Sequence, residues 1–378
     1  MPITVCLSAT QTFNYPEGGG HLWVYLNWAL GLKALGCRVI WLECVSPRAD
    51  VETTLALARG LKDRLARFGL GDSLAIHPMA PCPIAGPLGR EFPGLGDAAE
   101  RADLLLNQRY DLPEEIVREF RRSCLLDIDP GLLQHWVSAG ELRLAPHDLY
   151  FTIGETVGRP GSLFPDCGLR WHYTPPCIAL DHWPVRSAPS DAHFTTISHW
   201  EAREWIVFRG KPYRNDKRTG FLPYLDLPRH TDQPLELALC FQESDADREL
   251  LRELGWSTRH AWEVSATPER YREYIGGSLG EFSCVKPSCV LLQNAWISDR
   301  TLCYLASGKP AVVEHTGSSR FLPDADGLFR FRDRVEAVRA LETIAADYDR
   351  QCHRARGLAE EFFDARKVTG HLLEKAFA

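Results

Sequence analysis

The chain has 378 residues, 45% of them hydrophobic and 25% charged, which is globular composition with enough material for two domains, each with its own core. Its formal net charge of -7 comes from interspersed acidic and basic residues, which excludes a global basic field and gives a nucleic-acid partner no support. No run of about 18 apolar residues occurs, which excludes a membrane-spanning helix.

The opening MPITVCLSAT has neither the basic start nor the apolar core of a secretion signal, so residues 3–8 read as a first strand and the chain as cytoplasmic. A loop to Gly20, a helix over 21–35 ended by Gly36, and a strand over 38–43 follow. Strand, glycine loop, helix and strand make a βαβ unit, which predicts a parallel sheet. The helix is apolar on nearly every side (Leu22, Trp23, Leu26, Trp28, Leu30), so it is expected to be buried between the sheet and a further element. Helices over 51–68 and 114–122 and strands over 104–107, 124–128 and 149–153 extend this first half. Prolines 175, 176, 184 and 189 interrupt the pattern and mark a linker. A second α/β set follows, with strands over 194–197, 235–241, 290–293 and 311–314 and a helical tail from 334.

The twelve cysteines are scattered without a C-x-x-C pair, and Cys284 and Cys289 lack a second ligand pair at zinc spacing. Reduced, mostly buried thiols and no metal site are the expectation.

The richest stretch is VLLQNAWISDRTLCYLASGKPAVVE, read as strand, helix, strand. Ser298 stands where an N-cap belongs, with Ile297 and Leu302 placed as a hydrophobic staple, and Ser307-Gly308 stops the helix over 299–306. The helix N-terminus then lies at the carboxyl edge of a parallel sheet, where free amides and the helix dipole favour a diphosphate and Arg300 adds a bidentate-capable charge. The bland alternative is an ordinary capped helix with a surface arginine. Gly18-Gly19-Gly20 permits close backbone approach to phosphate or sugar, or else is a flexible loop before a helix. His21, at the start of that helix, suits a neutral general base because the dipole disfavours its cation; its other reading is a packing histidine. Asp127 and Asp129 in LLDIDPG either face a cleft as acceptor-orienting or basic carboxylates or cap a Pro-Gly turn. Glu155, after the strand of HDLYFTIGE, is a further site candidate or a solvated strand end. Trp171, His172, Tyr173, Trp183, His199 and Trp200 form an aromatic set, stacking a ring or packing the domains. Lys217 and Arg218 are second-rank phosphate candidates.

The run GEFSCVKPSCVLLQNAWISDRTLCYLASGKPAVVEHTG resembles the nucleotide-binding half of GT-B glycosyltransferases of group 1, especially the bacterial set related to the spore-maturation CgeB-like proteins. The similarity lies at Gly280–Ser283, Trp296, Ser298, Asp299, Arg300, from Cys303 through Gly308, and at Pro310, Thr316 and Gly317. Earlier stretches (GGGHLWVYLNWALGLKALGCRVIWLE, LLDIDPG, HDLYFTIGE, WHYTPPCIALDHWP) resemble the same set, so the likeness covers most of the chain. Two departures stand out: Ala295 and Cys303 occupy the places of the paired glutamates of many retaining enzymes, and Lys286-Pro287-Ser288-Cys289 replaces a Lys-Asn-Gly-Tyr.

The resemblance implies an α/β GT-B fold, two Rossmann-like domains with parallel sheets facing across a cleft. It implies an acceptor domain over 1–178, a nucleotide-sugar domain over 179–355 and a terminal helix over 356–378 returning to the first. It implies a metal-independent, hexosyltransferase-type enzyme without a cofactor, using a UDP-, dTDP- or GDP-sugar and a small-molecule or glycan acceptor. The donor contacts fall on Gly18, Gly19, Gly20, Lys286, Trp296, Ser298, Asp299, Arg300, Thr316 and Gly317, and the catalytic candidates are His21, Asp127, Asp129 and Glu155. A GT-B-fold nucleotide-sugar epimerase and a non-catalytic nucleotide-sugar-binding subunit are the alternatives.

Overall fold

The computed structural model describes residues 2–45, 50–79, 85–240, 245–322, 324 and 326–378. Seven strands form the first sheet: β1 (Thr4–Ala9), β2 (Arg38–Val45), β3 (Leu74–Pro78), β4 (Leu104–Asn107), β5 (Ser123–Asp127), β6 (Leu149–Thr152) and β7 (Trp171–Tyr173). β8 (Phe194–His199) begins the second sheet, and a hairpin of β9 (Trp205–Phe208) and β10 (Lys211–Arg214) follows it. The second sheet is completed by β11 (Leu235–Cys240), β12 (Ser257–His260), β13 (Gly280–Ser283), β14 (Ala311–Glu314) and β15 (Leu328–Phe331).

Every pairing within the two large sheets is parallel. The first runs β3-β2-β1-β4-β5-β6-β7 and the second β12-β11-β8-β13-β14-β15. Chain order therefore reverses between β1 and β4 and again between β8 and β13. At such a switch point the crossovers leave on opposite faces, and the carboxyl edge opens into a crevice. The second crevice is widened by the strands themselves. β8 and β13 pair only at Phe194–Gly280 and Thr195–Glu281, whereas β8 and β11 pair along all six residues.

The buried helix expected after the first strand spans Gly19–Ala34, and Leu22, Trp23, Leu26, Trp28 and Leu30 are all in the core. Its N-terminus lies against the second half of the chain. A Cβ on Gly19 would stand 2.3 Å from the backbone of Thr267, and one on Gly20 2.6 Å from the Tyr271 ring. Trp23 Nε1 donates to the Pro268 carbonyl at 2.9 Å. Gly19 and Gly20 are thus closest-approach points between the two halves, while Gly18 and Gly20 also line a depression at the carboxyl ends of the sheets. Gly19→Ala should cost about 1–3 kcal/mol, the range for overpacking, because the obstacle is backbone and not a side-chain tip. A urea titration with an unchanged midpoint would contradict this contact.

Two elements differ from the sequence reading. Residues 290–293 are not a strand: the helix Pro287–Leu292 contains most of them, and Gln293 ends it in the left-handed region at φ 49°. Pro287 presets the first helical φ, and burial of Ser288 and Leu292 with exposure of Val290 follows a helical rather than an alternating period. The strand position belongs to β13, the GEFS segment. The helix expected over 114–122 stops at Val117, and Phe241 of the strand expected over 235–241 lies outside the described residues.

The tail forms helices Arg334–Ala346, Tyr348–Phe362 and Ala365–Ala376. The last packs on the Gly19–Ala34 helix, with Ala365 so close that a Cβ on Gly31 would meet its carbonyl oxygen at 2.7 Å. Backbone bonds from Ile178 to Phe363 (2.8 Å) and from Ala365 to Ile178 (3.0 Å) fix it there. No helix among the described residues is long and apolar enough to cross a membrane.

Candidate active site

The carboxyl ends of both sheets meet in two adjoining depressions. One, of about 260 Å³, is lined by Tyr15 and His21 from the first half and by His199, Cys240, Ser298 and Asp299 from the second. The other, of about 120 Å³, lies between Asp129 and a wall of Lys217, Lys286, Asn294 and Trp296. Lys286 links them: its charge depresses His199, and Asp129 in turn favours the Lys286 cation. A larger cavity of about 560 Å³ lies elsewhere, among Lys33, Arg67, His182 and Arg366, and no strand end lines it. The chemistry-bearing groups gather at the smaller pair.

His21 is held by a bond 2.7 Å long between Nε2 and the Thr10 carbonyl, just beyond the end of β1. Because a carbonyl only accepts, Nε2 carries the proton and Nδ1 keeps the lone pair. Tyr15 and Tyr25 flank the ring at 5.9 and 5.3 Å. Burial pushes the His21 pKa below its ordinary value and His199 adds to this, outweighing the Thr10 bond. The imidazole is therefore neutral near pH 7 and able to accept a proton. His199, at the end of β8, is likewise lowered by burial and then by Lys286.

Lys286 precedes the Pro287–Leu292 helix and donates to Glu204 at 2.8 Å. Burial works against its charge, but Glu204 and Asp129 raise its pKa above the usual lysine value, so it is a fixed cation in the cleft. Asp129 is exposed there, anchored on one oxygen by the Tyr110 hydroxyl at 3.1 Å. Lys217 points inward to the Cys284 carbonyl, and burial followed by the Arg300 charge pushes its pKa down to about 8. Arg218 is paired with Asp247.

The helix Asp299–Ala306 starts as the sequence predicts, with Ser298 Oγ accepting from the Arg300 amide at 3.2 Å, and Ile297 and Leu302 both buried. Arg300 itself departs from expectation. Its Nε donates to Glu281 at 2.8 Å, Nη1 to the Ile197 carbonyl at 3.0 Å and Nη2 to Ser283 Oγ at 2.6 Å. Those partners lie on β8 and β13, so the guanidinium fills the gap where the two strands diverge and satisfies the Ile197 carbonyl together with two side chains of β13. It braces the crevice floor rather than presenting a free fork to phosphate.

Other candidates are also structural. Asp127 is fully enclosed and accepts from Gln134 (2.9 Å), Thr152 (2.8 Å) and the Asp129 amide (3.0 Å). Burial pushes its pKa up to about 7. It holds the turn that presents Asp129, and the expectation of a cleft-facing carboxylate fails for it. Glu155 is taken up by Ser319 Oγ (2.7 Å), the Arg320 amide (2.9 Å) and Arg320 Nε (2.7 Å). Burial raises its pKa, and these bonds more than offset that and hold it below the usual range. It clasps the two halves together, with three of its acceptor positions taken by Ser319 and Arg320. Thr316 Oγ1 donates to the Trp296 carbonyl at 2.6 Å, and Gly317, at φ 129°, lets its backbone pass Gln293, whose carbonyl oxygen a Cβ would meet at 2.7 Å. Both shape the loop carrying Trp296 and do not line either depression. Trp183 and Trp200 are core residues.

The sequence reading did not single out Tyr15 and Asn294 as site residues, and it held His199 only as an aromatic. Asn294 donates to the Pro130 carbonyl at 2.7 Å across the cleft. A strand-terminal histidine at a switch point was the available signal for His199.

No family model matches the chain, and no curated protein matches it. Solved structures do. An alpha-glucosyltransferase in complex with UDP is 12% identical, with a TM-score of 0.61 over 100% of both chains. The same kind of enzyme with UDP and a 13-mer DNA containing an HMU base is 11% identical, with a TM-score of 0.63 over 100% of both. HepE of Anabaena in complex with UDP is 12% identical, with a TM-score of 0.55 over 99% of both. At this identity the likeness is one of architecture, and with the two parallel sheets and their facing carboxyl edges it establishes that the chain has the GT-B fold.

Proposed function

We propose that the chain is a glycosyltransferase that moves a sugar from a nucleotide diphosphate sugar to an acceptor bound across the cleft. The observation that carries this reading is the pairing, at two facing switch points, of a histidine held neutral with its Nδ1 lone pair available and a half-buried cation, Lys286. The solved structures of the same fold that hold UDP support a uridine donor over the dTDP and GDP alternatives. The CgeB-like resemblance and the hexosyl type belong to the same proposal.

In this scheme the donor lies on the second-sheet side. Its diphosphate faces Lys286 and the open amides at the start of the Asp299–Ala306 helix. The acceptor lies against His21 and Asp129. As the acceptor oxygen bonds to the anomeric carbon, its proton passes to His21 Nδ1 and the carbon–diphosphate bond breaks. The diphosphate leaves with the electron pair, and its charge is met by the preorganised cation and amides. Such a displacement inverts the anomeric centre. A retained product would remove His21 from the base role and place it against the donor sugar instead.

The charge on the leaving group is assigned to protein groups, so turnover should persist in excess EDTA. Activity that disappears with EDTA and returns with manganese or magnesium would overturn metal independence. Incubation with a panel of UDP-, dTDP- and GDP-sugars tests the reaction class. Free nucleoside diphosphate with a glycosylated acceptor supports transfer, isomerised donor means an epimerase, and tight binding without product means a non-catalytic subunit.

A further inference from the structure

Lys309 is a charged residue enclosed as if it were core. Its side chain is 0% exposed, and its Nζ has no hydrogen-bond partner among the described residues. The other large side chains enclosed this fully are aromatic or leucine. Lys309 lies just past the stop of the Asp299–Ala306 helix, where its amide donates to the Tyr304 carbonyl at 2.9 Å and Pro310 leads into β14. The tail helix Tyr348–Phe362 crosses this turn. Tyr348 Oη donates to the Leu279 carbonyl at 2.7 Å, and Arg356 Nη1 to the Ala306 carbonyl at 2.6 Å. Cys352 stands one turn from each on the same helical stripe. Leu279 leads into β13 and Lys309 into its neighbour β14, so the amine lies beneath the middle of that stripe. Lys309 and Cys352 accordingly act on each other's charge.

No carboxylate answers the amine. On the tail helix, Arg356 is taken up by the Ala306 and Trp183 carbonyls and by Glu360, and Asp349 is exposed. Cys352 is a half-buried thiol whose pKa burial raises. Asp326, before β15, is drawn to Arg350 and Gln351. On the linker, Arg186 lies along Gly276, and the Tyr304 hydroxyl of the Asp299–Ala306 helix is bonded to Thr195. An ammonium kept from water without a partner is strongly disfavoured. Burial therefore pushes the Lys309 pKa down to about 8, with the Cys352 thiol opposing it in part.

We infer that Lys309 makes the fastening of the tail helix pH-sensitive: an enclosed, unpaired ammonium holds the helix loosely, and release of its proton to solvent tightens it. The unfolded chain keeps that proton up to about 10.4, the ordinary lysine value. Between about 8 and 10.4 the folded chain binds fewer protons than the unfolded one, so stability rises with pH there. Below about 8 both states are protonated and the whole penalty is present. The tail helix runs on to Ala365–Ala376, which packs on the Gly19–Ala34 helix that carries His21. A change in its fastening therefore reaches the first half of the chain, whatever reaction the cleft performs.

The test is urea unfolding of the full chain and of Lys309→Met, which keeps an unbranched side chain without the charge, across the range from neutral pH to the ordinary lysine value. Near neutral pH the unfolding constant of Lys309→Met should be roughly 100-fold below that of the wild type. Above about 8 the gap should close by at most about tenfold per pH unit. Hydrogen exchange near neutral pH should place the extra opening of the wild type in residues 348–362. Cys352→Asp offers the ammonium a carboxylate, so the rise in stability above about 8 should disappear in that variant whatever its absolute stability. A gap between wild type and Lys309→Met that is absent or constant with pH overturns the inference. So does a wild-type rise retained in Cys352→Asp, and so does extra exchange that lies outside the tail helix.

Discussion

Replacing His21 with alanine is expected to lower kcat by about 10²–10⁴, the usual worth of a positioned general base. Nucleotide affinity should hold, because the proposed scheme sets His21 against the acceptor and not the donor diphosphate. The pH profile gives the sign of the effect. Burial places the folded His21 pKa below its ordinary value, so the group is unprotonated and competent at neutral pH. The kcat/KM profile should fall only on the acid side, with its limb below about 6.5, the unperturbed histidine value. His21→Ala should flatten that limb. A packing histidine would behave otherwise: the variant would lose stability while turnover per folded molecule stayed intact. Its edge-on contact with Tyr25 makes a modest stability change compatible with either role, so the decisive quantity is the pH limb.

Arg300→Ala is expected to cost about 3–5 kcal/mol of stability, the range for breaking a buried ion pair by removing one partner. The variant leaves the Glu281 carboxylate buried and the Ile197 carbonyl without its donor, in the gap where β8 and β13 no longer pair. Arg300→Lys should recover only part of the loss, since one ammonium cannot span Glu281, Ile197 and Ser283 in the plane a guanidinium supplies. Urea denaturation reads the effect directly. A variant of wild-type stability that has lost only nucleotide affinity would restore the phosphate-binding role the sequence suggested.

That contrast shows where the sequence is readable and where it is not. Ser298 as an N-cap, the buried Gly19–Ala34 helix and the alternation of strands with helices depend on neighbours within a few residues, and pattern reveals them. The direction of Arg300 depends on the divergence of two strands far from it in sequence, which no local pattern encodes. The glycine run was legible as a close approach, but its cause, the backbone at Thr267, lies in the other half of the chain. An apolar run such as residues 290–293 does not distinguish a strand from a helix by itself. The short, partly polar β12 and the three-residue β7 exist because neighbouring strands supply their partners. In the candidate site, His21, Asp129, Lys286, Trp296, Ser298 and Asp299 come together at the cleft as a group. Asp127 and Glu155 are drawn into bonds that only the folded chain provides.

The most direct test of the account is calorimetric titration of UDP into the wild type and Lys286→Ala. One saturable site is expected in the wild type, weakened by about 1.5–3 kcal/mol in the variant, the range for a charge-assisted bond, with little change in urea midpoint. No saturable binding at millimolar nucleotide, or equal affinity in the two proteins, would contradict a diphosphate held in this cleft.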